Sequence, residues 1–128
     1  MANIKEDIMS YLQSQGLQPQ AEDFGIYFKY QMLNFFIFWN ERDHLFLRIC
    51  LPNIYDVDEE NRMDVLEATN EVTYEMKVAK CFIHDDSVWV ATEQLLDSTP
   101  EYDDIIPRSL TILTQGRREF YDKIRGRN

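Results

Sequence analysis

The sequence predicts an α+β fold: a single domain with the element order α-β-β-β-α-β-β-α and a mostly antiparallel five-stranded sheet with flanking helices. Strand-like segments come in two groups joined by short turns, and helical periodicity occurs before, between and after these groups. A chain of 128 residues with 45% hydrophobic content suits one core. We therefore expect residues 1–128 to form one domain.

The first helix is predicted at the N-terminus. Its apolar residues recur at helical spacing: Ile4, Ile8, Tyr11 and Leu12. Gly16 follows as a left-handed cap that would end the helix. The next residues, up to Asp23, are polar and include a proline, so we expect a connecting segment there.

Three strands are predicted next, over residues 25–31, 33–39 and 44–51, with gaps short enough for hairpins. In the second of them the odd positions from Leu33 to Trp39 line one face, while Phe36 and Phe38 line the other. Both faces of this strand are therefore apolar. We expect the odd face to pack under the first and last helices, and the second face to be covered by the second helix or by a partner. Arg48 in the third strand should point away from the core or into a polar seam, because burying it unpaired is costly.

A second helix is predicted after Pro52, which should end the third strand. Asp56 and Asp58 are candidate N-caps, and the helix should run to about Met76. Its apolar residues form two neighbouring stripes, which suggests contacts on two sides. The residues of these stripes are Met63, Leu66, Asn70 and Thr73 on one, and Val65, Ala68, Thr69, Val72 and Met76 on the other.

A hairpin and a third helix complete the predicted order. The hairpin strands cover residues 78–84 and 88–94, with Asp85, Asp86 and Ser87 in the turn. The last helix should begin near Ser98 or Thr99, and Pro107 should either kink it or divide it. Its apolar positions are Ile106, Leu110, Leu113, Phe120 and Ile124.

The charge balance bears on the class of partner. Thirteen basic residues stand against 23 acidic ones, a formal net charge of -10, so nucleic acid is not an expected partner. The basic residues near the C-terminus, from Arg117 to Arg127, should complement the negative end of the last helix. The N-terminal residues show neither a secretion signal nor a membrane span, so we expect a cytoplasmic protein without membrane contact.

Two cysteines, Cys50 and Cys81, lie inside strand-like segments. They are predicted to be reduced, small buried side chains, because an intracellular chain keeps its thiols reduced. No set of ligands at metal-binding spacing accompanies them. No metal or other cofactor is therefore expected.

An EF-hand is the first alternative for the acidic segment before and within the second helix. Its carboxylates fall at loop positions one, three, five, nine and twelve: Asp56, Asp58, Glu60, Asp64 and Glu67. The required glycine at position six is replaced by Asn61, and the segment is already predicted to be a capped helix start. The capped helix is therefore favoured over a calcium site.

Catalysis finds little support in the sequence. The histidines, His44 and His84, lie beside Asp43 and Asp85 at predicted strand ends, and the sequence contains no nucleophile elbow, P-loop or dinucleotide fingerprint. Aromatic residues could instead line a ligand groove or a protein interface. Core packing is favoured for Trp89, whereas core and groove are equally favoured for Tyr55 in the loop after Pro52.

The element order resembles the YbjN family, whose fold is like that of type III secretion chaperones. Three stretches carry the resemblance: FGIYFKYQMLNFFIFW after the first helix, LPNIYDVDEENRMDVLEATNEVTYEMKVAKCFI, and the hairpin DDSVWVATEQLL. The resemblance implies a small cytosolic bacterial protein, often dimeric, that acts through binding. Secretion chaperones of this fold hold an extended client segment against apolar surface, and YbjN-like proteins are linked to regulation or stress responses. No catalytic residues come with the resemblance.

The predicted function is a non-enzymatic protein-binding module, chaperone-like or regulatory, that acts as a homodimer and can take a protein or peptide client. Excess apolar surface motivates the dimer. The candidate interface residues are Phe36, Phe38, Val65, Thr69, Val72 and Met76. The candidate residues for a ligand or partner groove are Tyr55, Arg48, His84 and Trp89.

Two alternatives remain open. The first is a ligand-binding or enzymatic domain with a pocket between helix and sheet, which would use His84, Asp85, Tyr55 or Arg48. The second is an acidic inhibitor that covers a basic protein partner, as the charge of -10 suggests.

Overall fold

The computed structural model describes residues 3–43 and 45–127, and the side chains of all of these except residue 41. His44, a candidate of the sequence analysis, lies outside the described residues. The elements follow one another in this order: α1 (Ile4–Ser14), β1 (Gln20–Glu22), β2 (Gly25–Tyr30), β3 (Leu33–Phe38), a 3-10 turn (Glu41–Asp43), β4 (Phe46–Asp56), α2 (Arg62–Glu75), β5 (Ala79–His84), β6 (Ser87–Leu95) and α3 (Tyr102–Arg125).

The sheet has six antiparallel strands in the order β1-β2-β3-β4-β6-β5. The α+β class is confirmed, but the prediction of five strands was wrong. The additional strand is β1, whose residues Gln20, Ala21 and Glu22 are all exposed. Such a segment has no alternation of apolar and polar residues, and it is a strand because its backbone pairs with β2.

Strand β4 continues past Pro52, which was predicted to end it. The pairing with β6 shifts register between Leu51 and Tyr55, and Asn53 has φ of +54° within this irregular segment. Proline cannot donate to a ladder hydrogen bond, but a bulge requires no such donor. The strand therefore bends at Pro52 and ends only at Asp56.

The helix starts differ from their predicted positions. Helix α2 begins at Arg62, after a turn in which the backbone N–H of Asn61 donates to Asp58 and that of Asp58 donates to the Asn61 side chain, both at 2.8 Å. Neither Asp56 nor Asp58 is therefore the N-cap. Helix α3 begins at Tyr102 and runs through Pro107 as one continuous helix.

Positive backbone φ angles close the tight turns. Gly16 has φ of +81° after α1, where the N–H of Leu17 donates to the Leu12 carbonyl and that of Gly16 to the Gln13 carbonyl, as in a Schellman cap. The two-residue turn between β2 and β3 has φ of +50° and +67°, and the turn at Asp85 and Asp86 has +48° and +59°. These values are typical of type I′ hairpin turns.

All three helices pack on one face of the sheet, and the core lies between them. From the strands, the core takes the odd residues of β3 together with alternate residues of the neighbouring strands. Helix α3 crosses close above β6, where a Cβ on Gly116 would lie 2.9 Å from the Val90 side chain. Among residues 3–43 and 45–127, no helix is both long and apolar enough to span a membrane.

Helix α2 lies along the outer edge of β5. The hydroxyl of Thr73 accepts a hydrogen bond from the backbone N–H of Cys81 at 2.8 Å and donates to its carbonyl at 3.1 Å. Lysine and arginine side chains at the end of α3 bind α2 from the other side: Lys123 contacts Glu75 at 2.7 Å, and Arg127 pairs with Glu71. The basic residues at the end of the chain therefore hold two helices together.

Candidate functional site

The candidate site is the side of the sheet opposite the three helices. We call it the open face. Strand register places these outward side chains on it: Gln20, Glu22, Tyr27, Lys29, Asn34, Phe36, Phe38, Phe46, Arg48, Cys50, Asp56, Lys80, Phe82, His84, Ser87, Trp89, Ala91, Glu93 and Leu95. Phe24, in the turn before β2, adds its ring to the same surface. No described helix lies over this face.

Aromatic rings form a continuous layer across the open face. Phe36 stands at its centre, with ring centroids 5.2 Å from Phe24, 5.5 Å from Tyr27, 6.2 Å from Phe38 and 6.3 Å from Trp89. The layer continues from the Trp89 ring to Phe82 at 6.4 Å and to His84 at 5.0 Å. Most of these rings are half-buried, because each is shielded by its neighbours in the layer rather than by a covering helix.

Three charged side chains cross the middle of this layer. The carboxylate of Glu93 on β6 binds Arg48 on β4 at 2.7 Å and Lys80 on β5 at 2.5 Å. The Arg48 guanidinium uses both Nε and Nη2, so it is held in a fixed orientation. We call this arrangement the charge ladder; it confirms that Arg48 points away from the core.

The charge ladder alters the acidity of Glu93. Partial burial by itself would raise the pKa of the carboxyl, but hydrogen bonds from Lys80 and Arg48, together with their positive charges, lower it below its usual value. Glu93 is therefore ionised at neutral pH. Its one negative charge stands against the two positive charges of Arg48 and Lys80, so the charge ladder is positive overall.

The structure separates the six candidate interface residues. Phe36 and Phe38 lie on the open face, as the strand pattern indicated. In contrast, Val65, Thr69 and Val72 are buried in the protomer's own core, facing α3 and β5, and Met76 packs against that core. Of the two predicted covers for Phe36 and Phe38, the second helix is excluded, because α2 lies on the opposite side of the sheet, and a partner remains a prediction.

The four candidate groove residues are also divided. Arg48, His84 and Trp89 lie together on the open face. Tyr55 points to the helical side, with its ring 5.3 Å from that of Phe120. Trp89, for which core packing was favoured, is half-exposed, and its indole N–H is buried without a hydrogen-bond partner among the described residues.

The groups considered for chemistry are dispersed or unreactive. His84 is exposed and contacts only Asp85, at 3.3 Å, among the described carboxylates. Cys50 and Cys81 are free and buried, as predicted, and burial raises the pKa of each thiol to about 12, so both are protonated at neutral pH. The acidic residues of the calcium alternative are divided among the end of β4, a turn and α2.

Several residues of the open face were not identified from the sequence. They are Phe24, Phe46, Lys80, Phe82 and Glu93. The alternation of inward and outward side chains along residues 79–84 and 87–95 could have identified four outward residues: Lys80, Phe82, Trp89 and Glu93. That these residues lie on one surface with Arg48 follows only from the pairing of β4 with β6, which places Arg48 opposite Glu93.

The sequence of this chain matches the profile of a known protein family, and its fold is similar to that of solved structures. The YbjN family profile, described as "Putative bacterial sensory transduction regulator", matches residues 5–106. The fold is similar to that of YbjN from E. coli, "a putative transcription regulator", with a TM-score of 0.69 and 9% identity over 91% of this chain and 88% of that chain.

A second solved structure has a similar fold. It is an uncharacterized protein from Methanothermobacter thermautotrophicus, with a TM-score of 0.68 and 14% identity over 96% of this chain and 97% of that chain. No curated protein sequence matches the chain. The family profile covers most of the domain, and the solved structures share its fold: the chain belongs to the YbjN family.

Proposed function

We propose that this protein is a non-enzymatic regulatory module that associates with a second copy of itself through the open face. The single observation that carries the proposal is the continuous aromatic layer on a sheet face that no described helix covers. Contiguous apolar surface of this kind is typical of protein interaction sites. The family description as a regulator supports a role in binding rather than in catalysis.

The dimensions of the open face suit a dimer. Strands lie about 4.8 Å apart and rise about 3.3 Å per residue, so six strands with lengths up to 11 residues give a face of roughly 700 Å². A standard interface takes about 800 Å² from each partner. A second copy would therefore cover the whole aromatic layer.

The distribution of charge favours a second copy as the occupant. The acidic residues of the chain lie mainly on the helices and on the segment before α2, whereas the open face carries Lys29 and the charge ladder, with Glu22 and Asp56 at its margins. Two open faces can therefore meet without bringing the acidic surfaces together. Each charged group of the ladder has a partner within its own copy, but two cations share one carboxylate, so the ladder is best placed where water still reaches it in the dimer.

A cytoplasmic location is part of the proposal. Two free thiols support it, because disulfides form mainly in oxidising compartments. An extended segment of a client protein, as secretion chaperones bind, is the competing occupant of the open face.

The test is the mass of the protein in solution, measured by sedimentation equilibrium or light scattering at micromolar concentrations. We expect a dimer for the wild type and a monomer for Phe36→Glu, because the new carboxylate would be desolvated in the interface. Leu95→Glu, at a position that is 83% exposed on the open face, should also weaken the dimer without disturbing folding.

Tyr74→Glu is the matched control. Tyr74 is 87% exposed on α2, away from the open face, so this variant should remain dimeric. Circular dichroism establishes that each variant is folded. A wild-type protein that stays monomeric at 100 μM, on the order of ordinary dimer affinities, would contradict the proposal, as would folded Phe36→Glu and Leu95→Glu variants that both remain dimeric.

A further inference from the structure

A pocket at one end of the sheet lies apart from the charge ladder. It has a volume of about 260 Å³ and lies between α3, the bulge of β4 and the turn from β2 to β3. Its walls are mixed: Leu33, Leu51 and Pro52 supply apolar surface, and Asn34, Asn53 and Arg117 supply polar groups. Tyr27 and Phe36 of the open face also line it. Such a pocket accommodates a small molecule with an apolar body.

Arg117 is the only charged side chain that lines this pocket among the described residues. Its guanidinium lies 4.7 Å from the centre of the Tyr121 ring, which supports it by a cation–π interaction. On the same helix Arg108 and Arg125 each pair with a carboxylate, whereas Arg117 and the exposed Arg118 pair with none in residues 3–43 and 45–127. Of the two unpaired arginines, only Arg117 lines the pocket.

The position of Arg117 is fixed by its surroundings. The Tyr121 hydroxyl donates a hydrogen bond to the carbonyl of Ile54 in the bulge of β4, which anchors the ring under the guanidinium. A half-buried arginine without a carboxylate partner among the described residues has guanidinium N–H groups that can bind an anion.

Two amide side chains at the pocket add hydrogen-bond donors. Tyr27 donates to the amide oxygen of Asn34 at 2.8 Å, which leaves the Asn34 NH₂ group available to a ligand. Asn53 lines the pocket from the bulge, where its φ is +54°.

We propose that this pocket binds a small organic monocarboxylate, with the carboxylate on Arg117 and the amides and the apolar body against Leu33, Leu51 and Pro52. One guanidinium matches one carboxylate in a bidentate pair. The net charge of -10 disfavours multiply charged anions such as nucleotides. The pocket excludes the charge ladder but shares Tyr27, Asn34 and Phe36 with the open face, so a dimer formed through that face would cover one wall of it. The titration that tests the proposal is therefore made on both the wild type and the Leu95→Glu variant, and binding by Leu95→Glu tests the pocket apart from the dimer.

The test is a titration of the ¹⁵N-labelled protein with acetate, isovalerate and phenylacetate, in which NMR spectra are recorded at each ligand concentration. We expect isovalerate and phenylacetate to shift the signals of Arg117, Asn34 and Asn53 in a saturable way. Acetate should bind more weakly because it lacks the apolar body. The neutral analogue phenylacetamide should bind at least about tenfold more weakly than phenylacetate, because it cannot form the ion pair.

Variants connect the binding to the arginine. Arg117→Gln should lower the phenylacetate affinity at least about tenfold, whereas Arg118→Gln, at the exposed neighbouring residue, should leave it unchanged. Four outcomes would overturn the proposal. They are no saturable shift with any of the three acids up to about 10 mM, equal binding of phenylacetamide, equal loss in both variants, and at least tenfold tighter binding of a peptide C-terminal carboxylate, which would assign the pocket to a partner chain.

Discussion

Single residues set the spacing between strands in this sheet, and Gly25 is the clearest case. Its φ is +148°, and a Cβ at this position would lie 2.0 Å from the carbonyl oxygen of Ile37 on the paired strand. The turn from β1 to β2 thus depends on the absence of a side chain. Gly16 also has positive φ, at +81°, but the space around it is open within 4 Å.

The two glycines should therefore respond differently to alanine. Gly25→Ala should lower the free energy of unfolding by about 2 to 4 kcal/mol, because backbone strain and a steric clash add together. Gly16→Ala, the matched control, should cost about 1 kcal/mol, because only the backbone conformation is unfavourable. Urea denaturation measures both values, and equal losses would contradict the proposed clash.

The alternation of residues in the sequence was sufficient to predict which side chains share a face in most strands. The odd residues of β3 were expected in the core, and Phe35 and Ile37 are buried there. Trp89 was assigned to the core because it stands between two valines, yet Val88 and Val90 take the inward positions and Trp89 the outward one. A sequence of alternating large apolar residues on both faces does not say which face is covered.

At the level of elements, the charge ladder joins three strands through Glu93. Because hydrogen bonds and charges from Lys80 and Arg48 lower its pKa in the folded protein, the carboxylate contributes to stability above the pKa of the unfolded chain. This contribution is lost as the pH falls through the lower pKa of the folded state. The ladder therefore stabilises the sheet at neutral pH and less so in acid.

The variant Glu93→Gln should remove this dependence. We expect it to be less stable than the wild type at pH 7, and the difference between the two proteins to shrink between about pH 5 and pH 2. Thermal denaturation at a series of pH values measures the difference. A constant difference across that range would show that the ionised carboxylate is not the stabilising species. Glu101→Gln, at an exposed position before α3, serves as a control without a salt bridge among the described residues.

Some elements could be predicted from the sequence and others could not. Helix and hairpin order followed from periodicity and turn residues, which are local properties. Strand β1 was not predicted, because only its backbone pairing with β2 makes it a strand. The continuation of β4 past Pro52 was not predicted either, because it depends on pairing with β6. The side of the sheet that α2 occupies depends on its tertiary contacts with α3 and β5.

For the molecule as a whole, net charge opposes the proposed association. Each copy carries -10, so two copies repel one another at long range although the proposed interface between them is apolar. Salt screens this repulsion with a Debye length of about 10 Å at 0.1 M ionic strength. An apolar interface between acidic proteins should therefore be strengthened by salt.

We expect the dimer dissociation constant to fall several-fold when NaCl is raised from about 20 mM to about 300 mM, because screening reduces repulsion over several Debye lengths. Sedimentation at the two salt concentrations measures the change, with the Tyr74→Glu variant as a control that adds one more negative charge outside the open face. A dissociation constant that rises with salt would indicate that attraction between opposite charges, rather than the aromatic layer, holds the two copies together.

The hydrogen bonds at the two margins of the sheet restrict how copies of this protein can assemble. At β5, the Thr73 hydroxyl occupies the backbone N–H and carbonyl of Cys81, and at β1 the Lys5 ammonium binds the carbonyl of Glu22 at 2.8 Å. An incoming strand would have to displace these side chains before it could extend the ladder. End-to-end growth into a continuous intermolecular sheet, the route to fibrils, is thus hindered at both margins, and stacking of flat surfaces is the assembly that the backbone leaves open.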